Sequence, residues 1–536
     1  MVFLLFLASL LTPDRAPRDD RYPRNPNVDV LHYAFNLSFS DMDDRIAGLA
    51  RVTLRFRRAG VTGFELDLVG PRGGRGMAVA GVEDGGLAAR FEHRGDRLRI
   101  TLTAPSRAAE ERTITVRYGG IPADGLIISS NKFGDRTFFG DNWPNRARHW
   151  LPTIDHPYDK ATAEFVVTAP AHYQVVGVGE LVEESDLPGS LRITHWSTSV
   201  PVATKVMVVG AARFAVQHVD VVAGTPIQSW VYPQDRDRGF FDFALAGRIL
   251  RFFVDRVGPF PYEKLANVQS KTRYGGMENA SNIFYAESAI TGQRTGERLI
   301  AHEVAHQWFG DSVTEADWHH VWLSEGFATY FAELYLEHAY GAERLRQNMR
   351  EAREEVLAYA VSRPESPVLD TTIVDVNGVL STNSYQKGAW VLHMLRAEIG
   401  DEAFWDGIRA YYREYRDSNA LSDDFRRVME RVSGRNLSRF FRQWLREPGV
   451  PVLDGAWTWN VGTRRLQVNV LQKQARPYDL KLEIAVYFRN GDPPRIESVR
   501  LDETTERFTI PLPSAPERVE LDPNTRLLMS SLFQGQ

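Results

Sequence analysis

The sequence predicts a multidomain α+β protein, with an N-terminal domain of antiparallel β-strands, a mainly helical middle domain and a C-terminal β-sandwich. Two observations carry this. The hydrophobic period is two as far as about residue 215, turns helical near Phe240, stays so through residue 447, and then returns to two. The return falls at a breaker cluster, Pro448-Gly449-Val450-Pro451. With 536 residues, of which 43% are hydrophobic, the chain is long enough for several domains with sizeable cores.

Residues 1–26 read as a leader and linker. Val2 to Leu11 is apolar and resembles the central part of a signal peptide, although no basic segment precedes it and no clean small-x-small site follows. Export is the expectation, with a cytoplasmic location as the alternative. Residues 27–216 form the β domain. Leu31, Tyr33, Phe35, Leu37 and Phe39 alternate with polar or small residues, and Val52, Leu54, Phe56, then Leu98, Ile100, Leu102, then Ile114, Val116, Tyr118 repeat the pattern between Gly-rich turns. A large sandwich or saddle follows from this.

Residues 217–448 form the helical domain. Phe240, Phe243, Ile249, Phe252 and Phe253 recur at helical spacing ahead of Gly258-Pro259, and residues 283 to 447 are mostly helical by pattern. Residues 449–536 form the sandwich, in which Leu466, Val468 and Val470, then Leu482, Ile484 and Val486, alternate again.

A net charge of −5 with scattered arginines excludes the basic footprint of a nucleic-acid partner. Cysteine is absent, which excludes disulfides, thiolate metal sites and a cysteine nucleophile. No apolar run reaches the roughly 18 residues needed to span a bilayer.

The stretch from 300 to 331 reads as a metal site. His302 and His306 stand four residues apart, so on a helix their imidazoles leave one face and can share an ion. Glu303 sits beside them, placed to hold a water without being a ligand. A catalytic zinc keeps three protein ligands and an open position, and without cysteine the third must be an acid or a histidine. Glu325, on a second helix that begins near Trp322, is the best candidate. The alternative for the pair is two core histidines satisfied by hydrogen bonds.

Two further stretches stand out. Gly275-Gly276-Met277-Glu278-Asn279 puts an acid directly after two glycines that let a backbone approach closely; a bulge or hairpin turn is the other reading. Tyr385 lies at the start of an apolar helix, where its hydroxyl suits a developing oxyanion; alone it would be a packing residue.

Together these motifs, with His302-Glu-Val-Ala-His-Gln-Trp-Phe-Gly310, Trp322-Leu-Ser-Glu-Gly-Phe-Ala328 and Tyr385-Gln-Lys-Gly388 in that order, resemble the M1 family of zinc aminopeptidases. Asp29-Val-Leu-His-Tyr33, Pro259-Phe-Pro-Tyr-Glu-Lys264 and Leu521-Asp-Pro-Asn524 extend the resemblance over about residues 27 to 525. It implies a saddle-like β domain, a thermolysin-like catalytic domain, a β-sandwich and one Zn2+ per chain on His302, His306 and Glu325. It further implies that Glu303 is the general base and Tyr385 the oxyanion donor. Glu278, helped by Glu325, would take the α-ammonium of a peptide with a free N-terminus, and Gly275, Gly276, Met277 and Asn279 would bind its first residues. The gluzincin spacing fits, with Glu325 following His306 after eighteen residues.

There are departures. Many members carry a further helical domain after the sandwich, and its absence from this sequence leads us to expect a more open cleft unless a second subunit of a homo-oligomer covers it. Asp311 and Ser324 stand where many members have asparagine. Trp143 stands where a related stretch carries a glutamine that helps bind the substrate amine, so the resemblance does not carry that contact over. Two rival functions are a bifunctional aminopeptidase and epoxide hydrolase, and a non-catalytic scaffold on the same fold. A fatty-epoxide assay separates the first, and metal analysis with chelator sensitivity the second.

Overall fold

The computed structural model describes residues 20–489 and 493–535. The apolar segment Val2–Leu11, on which the expectation of export rests, lies outside them. No helix among the described residues is long and apolar enough to cross a membrane.

The N-terminal part is built of strands. Its largest sheet has nine, with β1 (Val28–Ser38), β2 (Ile46–Phe56), β3 (Glu110–Ile121) and β4 (Lys160–Pro170) at its centre in the order β4-β1-β2-β3. The pairing departs from the all-antiparallel expectation at one place, where β1 and β4 run parallel, Phe35 opposite Phe165. These strands are separated by more than a hundred residues, a length at which a crossover connection makes parallel pairing available. The inward face of β1 also differs from a strict alternation. A register shift between Val30 and His32 lets Val28 and Val30 turn inward together with Tyr33, Phe35 and Leu37, which leaves Leu31 half-buried.

The middle part adds a five-stranded sheet that the helical reading did not include. It comprises β5 (Ala215–Val222), β6 (Thr225–Val231), β7 (Leu265–Ser270), β8 (Gly276–Met277) and β9 (Asn282–Ala286), in the order β5-β6-β7-β9-β8. Pairs β6/β7 and β7/β9 are parallel, and β8 is an edge strand antiparallel to β9. Both faces are covered. Ile283 and Tyr285 point into the core shared with the helices, while Phe284 joins the core of the N-terminal strands.

Behind this sheet lie α1 (Glu297–His306) and α2 (Trp322–Tyr340), with α3 (Gly388–Ile399) packed on α2. Every residue of α2 from Trp322 to Leu336 is buried, so it is a central helix with no solvent face over that length. The segment between α1 and α2 holds a short strand, Val313–Glu315, and a turn of 3-10 helix, Trp318–His320. After Val452 the chain returns to strands, in a four-stranded sheet of residues 452–460, 465–472, 505–511 and 530–535 and a three-stranded one of 480–487, 495–501 and 518–521. The architecture is therefore multidomain, with a β-rich N-terminal part, a helical middle part and C-terminal β-sheets.

Candidate active site

The site forms where α1, α2, the edge strand β8 and the turn before α3 converge. Helical spacing puts His302 and His306 on one face of α1, with their Nε2 atoms 3.0 Å apart. The first turn of α2 supplies Glu325, whose Oε2 lies 3.5 Å from His302 Nε2 and 3.3 Å from His306 Nε2. Its place near a helix N-terminus favours the carboxylate form. Ligands at about 2.0–2.1 Å around a tetrahedral ion stand about 3.3 Å from one another, so these three atoms fit one zinc without rearrangement. Two imidazoles and a carboxylate are the donor set of an open, catalytic zinc site. His306 is held from behind, its Nδ1 being 3.2 Å from the Phe309 carbonyl and 3.1 Å from Ser324 Oγ. Gly310 permits this, because at φ +122 a side chain there would enter Ser324 Oγ and approach His306 Nδ1.

Glu303 is buried beside the trio, against β8. A Cβ on Gly276 would stand 2.2 Å from Glu303 Oε1, so Glu303 can lie there only because position 276 has no side chain. Gly275 meets nothing closer than Leu299 at 3.9 Å, and of the glycine pair only the second is required by space.

Glu278 follows directly. It is 5% exposed, and its Oε1 has no hydrogen-bond partner among the described residues. Ligand atoms of Glu278, Glu303 and His306 lie within 4.8 Å of one another. Tyr385 enters from the opposite side, on a π-helical turn (Asn383–Lys387) that runs into α3, its ring centroid 6.1 Å from that of His302.

The cleft is thus lined by His302, Glu303, His306, Glu325, Glu278, Tyr385, Gly276 and Met277 of the sequence-predicted set, together with Trp143, Tyr274 and Leu380. Gly275 and Asn279 are not among the lining residues. The Asn279 amide is wholly buried, away from the cleft.

With this geometry in hand, comparison with known proteins is direct. The pattern described as "Peptidase M1 N-terminal domain" matches residues 80–206, and that described as "Peptidase family M1 domain" matches residues 241–444. The chain belongs to peptidase family M1.

Among M1 relatives, it is 28% identical over 328 residues to "Probable aminopeptidase 2" of Sulfurisphaera tokodaii, covering 57% of this chain and 41% of that one. It is 28% identical over 360 residues to human "Glutamyl aminopeptidase", covering 63% of this chain and 37% of that one. The chain thus matches about two fifths of the length of these relatives. Among solved structures, an M1 zinc metallopeptidase from Deinococcus radiodurans superposes with a TM-score of 0.65 at 24% identity, over 78% of this chain and 93% of that one, a likeness of fold. Zinc is the metal that the M1 family and the donor set together imply.

The electrostatics of this M1 site follow from its burial. Desolvation raises Glu303 well above the usual carboxylate range, and the neighbouring charges of Glu278 and Glu325 add to it. Desolvation likewise raises Glu278. Burial would also raise Glu325, but His306 and His302 outweigh it and hold this carboxyl far below its ordinary value. For His306 the balance is reversed. Burial lowers it, yet Glu325 and Glu278 push it up to about 10. Tyr385 is driven upward by burial and then by the three carboxylates, so it stays a neutral phenol able to donate.

Two positions took their meaning from the folded chain. Gln307 donates through Nε2 to the Glu278 carbonyl (2.8 Å) and to Asp311 Oδ2 (2.8 Å), and its Oε1 accepts from the Ser281 amide (2.7 Å). It thereby ties the Glu278 loop to the end of α1, and its one signal in sequence was its place directly after His306. Trp318, at the start of the turn ahead of α2, packs edge-on against Trp143, and no motif marked it.

Proposed function

We propose that the protein is a zinc aminopeptidase that removes the first residue from peptides with a free N-terminus. The observation that carries this is Glu278: a buried carboxylate oxygen without a partner, next to the three ligand atoms that fit zinc. An unpaired buried carboxylate is costly, and a substrate ammonium is the group that compensates it. A blocked or internal residue brings no such charge.

When bound, zinc supplies Lewis-acid polarisation of the scissile carbonyl and acidifies the attacking water. Glu303 takes the proton of that water on its carboxylate and returns it to the leaving amine. Tyr385 donates its hydroxyl to the developing oxyanion. Glu278, helped by Glu325, accepts from the α-ammonium, and the free side of edge strand β8 aligns the first residues as an added strand. Glu303 and Glu278 so divide two tasks that look alike in sequence, one moving a proton and the other measuring a single residue from the amine to the metal.

The same reading extends to the architecture. Residues 27–216 correspond to a saddle-like domain, 217–448 to a thermolysin-like catalytic domain and 449–536 to a sandwich. It does not extend to an acidic first residue, although several relatives bear the name glutamyl aminopeptidase.

The test is a panel of aminoacyl amides, free and N-acetylated, with chelator and with zinc restored. Expected are hydrolysis of the free amides alone, loss of activity with chelator and its recovery with zinc. In Glu278→Ala the discrimination against acetylated substrates should collapse. Equal cleavage of free and acetylated substrates by the wild type would refute an exopeptidase.

A further inference from the structure

Resting on the aminopeptidase reading, we propose that Lys387 is a positioning residue for Tyr385. Its ammonium ties the turn that carries the oxyanion donor to the segment leading into the C-terminal sheets, and those sheets thereby help to aim the tyrosine.

The turn is fixed at its start by side chains. Asn383 Nδ2 donates to the carbonyls of Ser366 (2.8 Å) and Pro367 (3.2 Å), and Ser384 Oγ lies 2.9 Å from the carbonyls of Val379 and Ser381. Where the turn passes into α3 it lies backbone to backbone on α2. A Cβ on Gly326 would stand 2.9 Å from the Cα and carbonyl carbon of Gly388 and 3.1 Å from the Ser384 carbonyl oxygen, so the two chains meet there with no side chain between them. Gly326 directly follows Glu325. The spacing between the turn of Tyr385 and the metal side of the site is thus set by a contact of main chains, which leaves no side chain to take up a shift of either.

Lys387 holds the last residue of the same turn. It is 2% exposed, and its Nζ donates to the Gly449 carbonyl at 2.8 Å. Gly449 belongs to the breaker cluster 448–451 and has φ +82, a conformation that favours glycine. The C-terminal sheets grip that cluster from beyond. Tyr478 Oη donates to the Pro448 carbonyl (3.3 Å) and the Ser530 amide to the Pro451 carbonyl (3.0 Å). A chain of bonds therefore runs from Tyr478 and Ser530 through residues 448–451 and Lys387 to the turn of Tyr385.

Stability does not account for this lysine. An ammonium carries three donors, and here one acceptor meets it. Lys264 has two carbonyls at 2.7 Å and Lys205 a carboxylate, whereas burial alone, with no neighbouring charge to oppose it, drives Lys387 down to about 8. A methionine would fill the same space without the cost of a buried charge. What lysine supplies is a donor at the end of a four-carbon stem, long enough to reach a carbonyl on another segment.

The experiment compares the zinc-loaded wild type, Lys387→Met, Tyr385→Phe and the double variant on a free aminoacyl amide. Tyr385→Phe should lower kcat by about 10²- to 10³-fold, the cost of one oxyanion donor. Lys387→Met should lower kcat by between about tenfold and 10²-fold with KM changed by less than about twofold, the pattern of a donor displaced by about 1 Å or less, while its resistance to denaturant stays equal or rises. In the double variant kcat should equal that of Tyr385→Phe alone, because a donor that is gone cannot be misplaced. Gly449→Ala, strained at φ +82, reaches the same bond from its other end and should lower kcat in the same way, again only while Tyr385 is present. It stands in for Lys387→Met if that protein does not fold. A kcat within about twofold of wild type in the folded variant overturns the proposal. So do losses that multiply in the double variant, which would place the action of Lys387 elsewhere, and so does a Tyr385→Phe protein with normal turnover. Hydrolysis of no amide by the wild type sinks the aminopeptidase reading and this inference with it, whereas hydrolysis indifferent to Lys387 sinks this inference alone.

Discussion

Two regions of this molecule bury charge, and they treat it in opposite ways. At the junction between the N-terminal strands and the helical part, each buried lysine meets its acceptors. Lys264 Nζ donates to the carbonyls of Gly177 and Gly179, both at 2.7 Å; Lys160 Nζ donates to those of Asp311 (2.9 Å) and Ser312 (2.7 Å); Lys205 Nζ lies 2.5 Å from Glu315 Oε1. In the active site, a few residues away in sequence, Glu278 keeps an oxygen with no partner and Glu303 is pushed well above its ordinary pKa. The junction uses charge to hold two parts together, and each of these lysines is closed by the protein itself. The site leaves groups open, which on the proposed reading a metal, a water and an ammonium complete. Buried charge alone therefore does not mark a site; a carboxylate left incomplete beside a set of atoms that fit a metal does.

The sharpest test of this contrast is Glu303→Gln. Loss of the base should lower kcat by about 10²- to 10⁴-fold while zinc remains stoichiometric by metal analysis. Near-normal turnover would remove Glu303 from the open set. Next comes stability, read by denaturant unfolding. Lys205→Met leaves Glu315 buried without its cation and should cost about 3–5 kcal/mol, whereas Glu278→Gln in the zinc-free protein should cost much less, because the Glu278 Oε1 atom has no hydrogen-bond partner to lose. Equal losses in the two variants would erase the distinction. The smallest effect concerns protons. His306 without metal holds a proton up to about pH 10, and zinc requires the neutral ring, so binding at pH 8 should release one proton per zinc from this histidine. Apparent zinc affinity should then weaken by about tenfold for each unit that pH falls below 10. Calorimetry in buffers of different ionisation enthalpy reads that stoichiometry, and zero release would show that the histidine pair is not protonated in the way its neighbours dictate.

Much of the site could be read before folding, for a local reason. His302, Glu303 and His306 are spaced by one helical turn, and the fold adds little to that spacing beyond bringing Glu325 within 3.5 Å. Glu278 and Tyr385 were marked by the motifs around them. The packing of Trp143 on Trp318 was not, because Trp143, Trp318 and Lys205 come from distant segments and meet only in three dimensions. The five-stranded sheet also escaped the period-two reading. Leu265–Ser270 is buried at every position, including Asn267, Gln269 and Ser270, since the sheet is covered on both faces and so has no polar alternation to reveal it. The parallel pairing of β1 with β4 was beyond local pattern for the related reason that pairing partners leave no mark on each other's sequence.

The bare Cα of Gly276 has a practical use. Its backbone angles are ordinary, so alanine would be tolerated there by the chain, yet the added methyl would fall 2.2 Å from Glu303 Oε1 and evict the carboxylate from its seat. On the aminopeptidase reading, one carbon atom then separates a working enzyme from a loaded but idle one, a bait that would grip peptides without consuming them and could be used to fish natural substrates out of a cell extract.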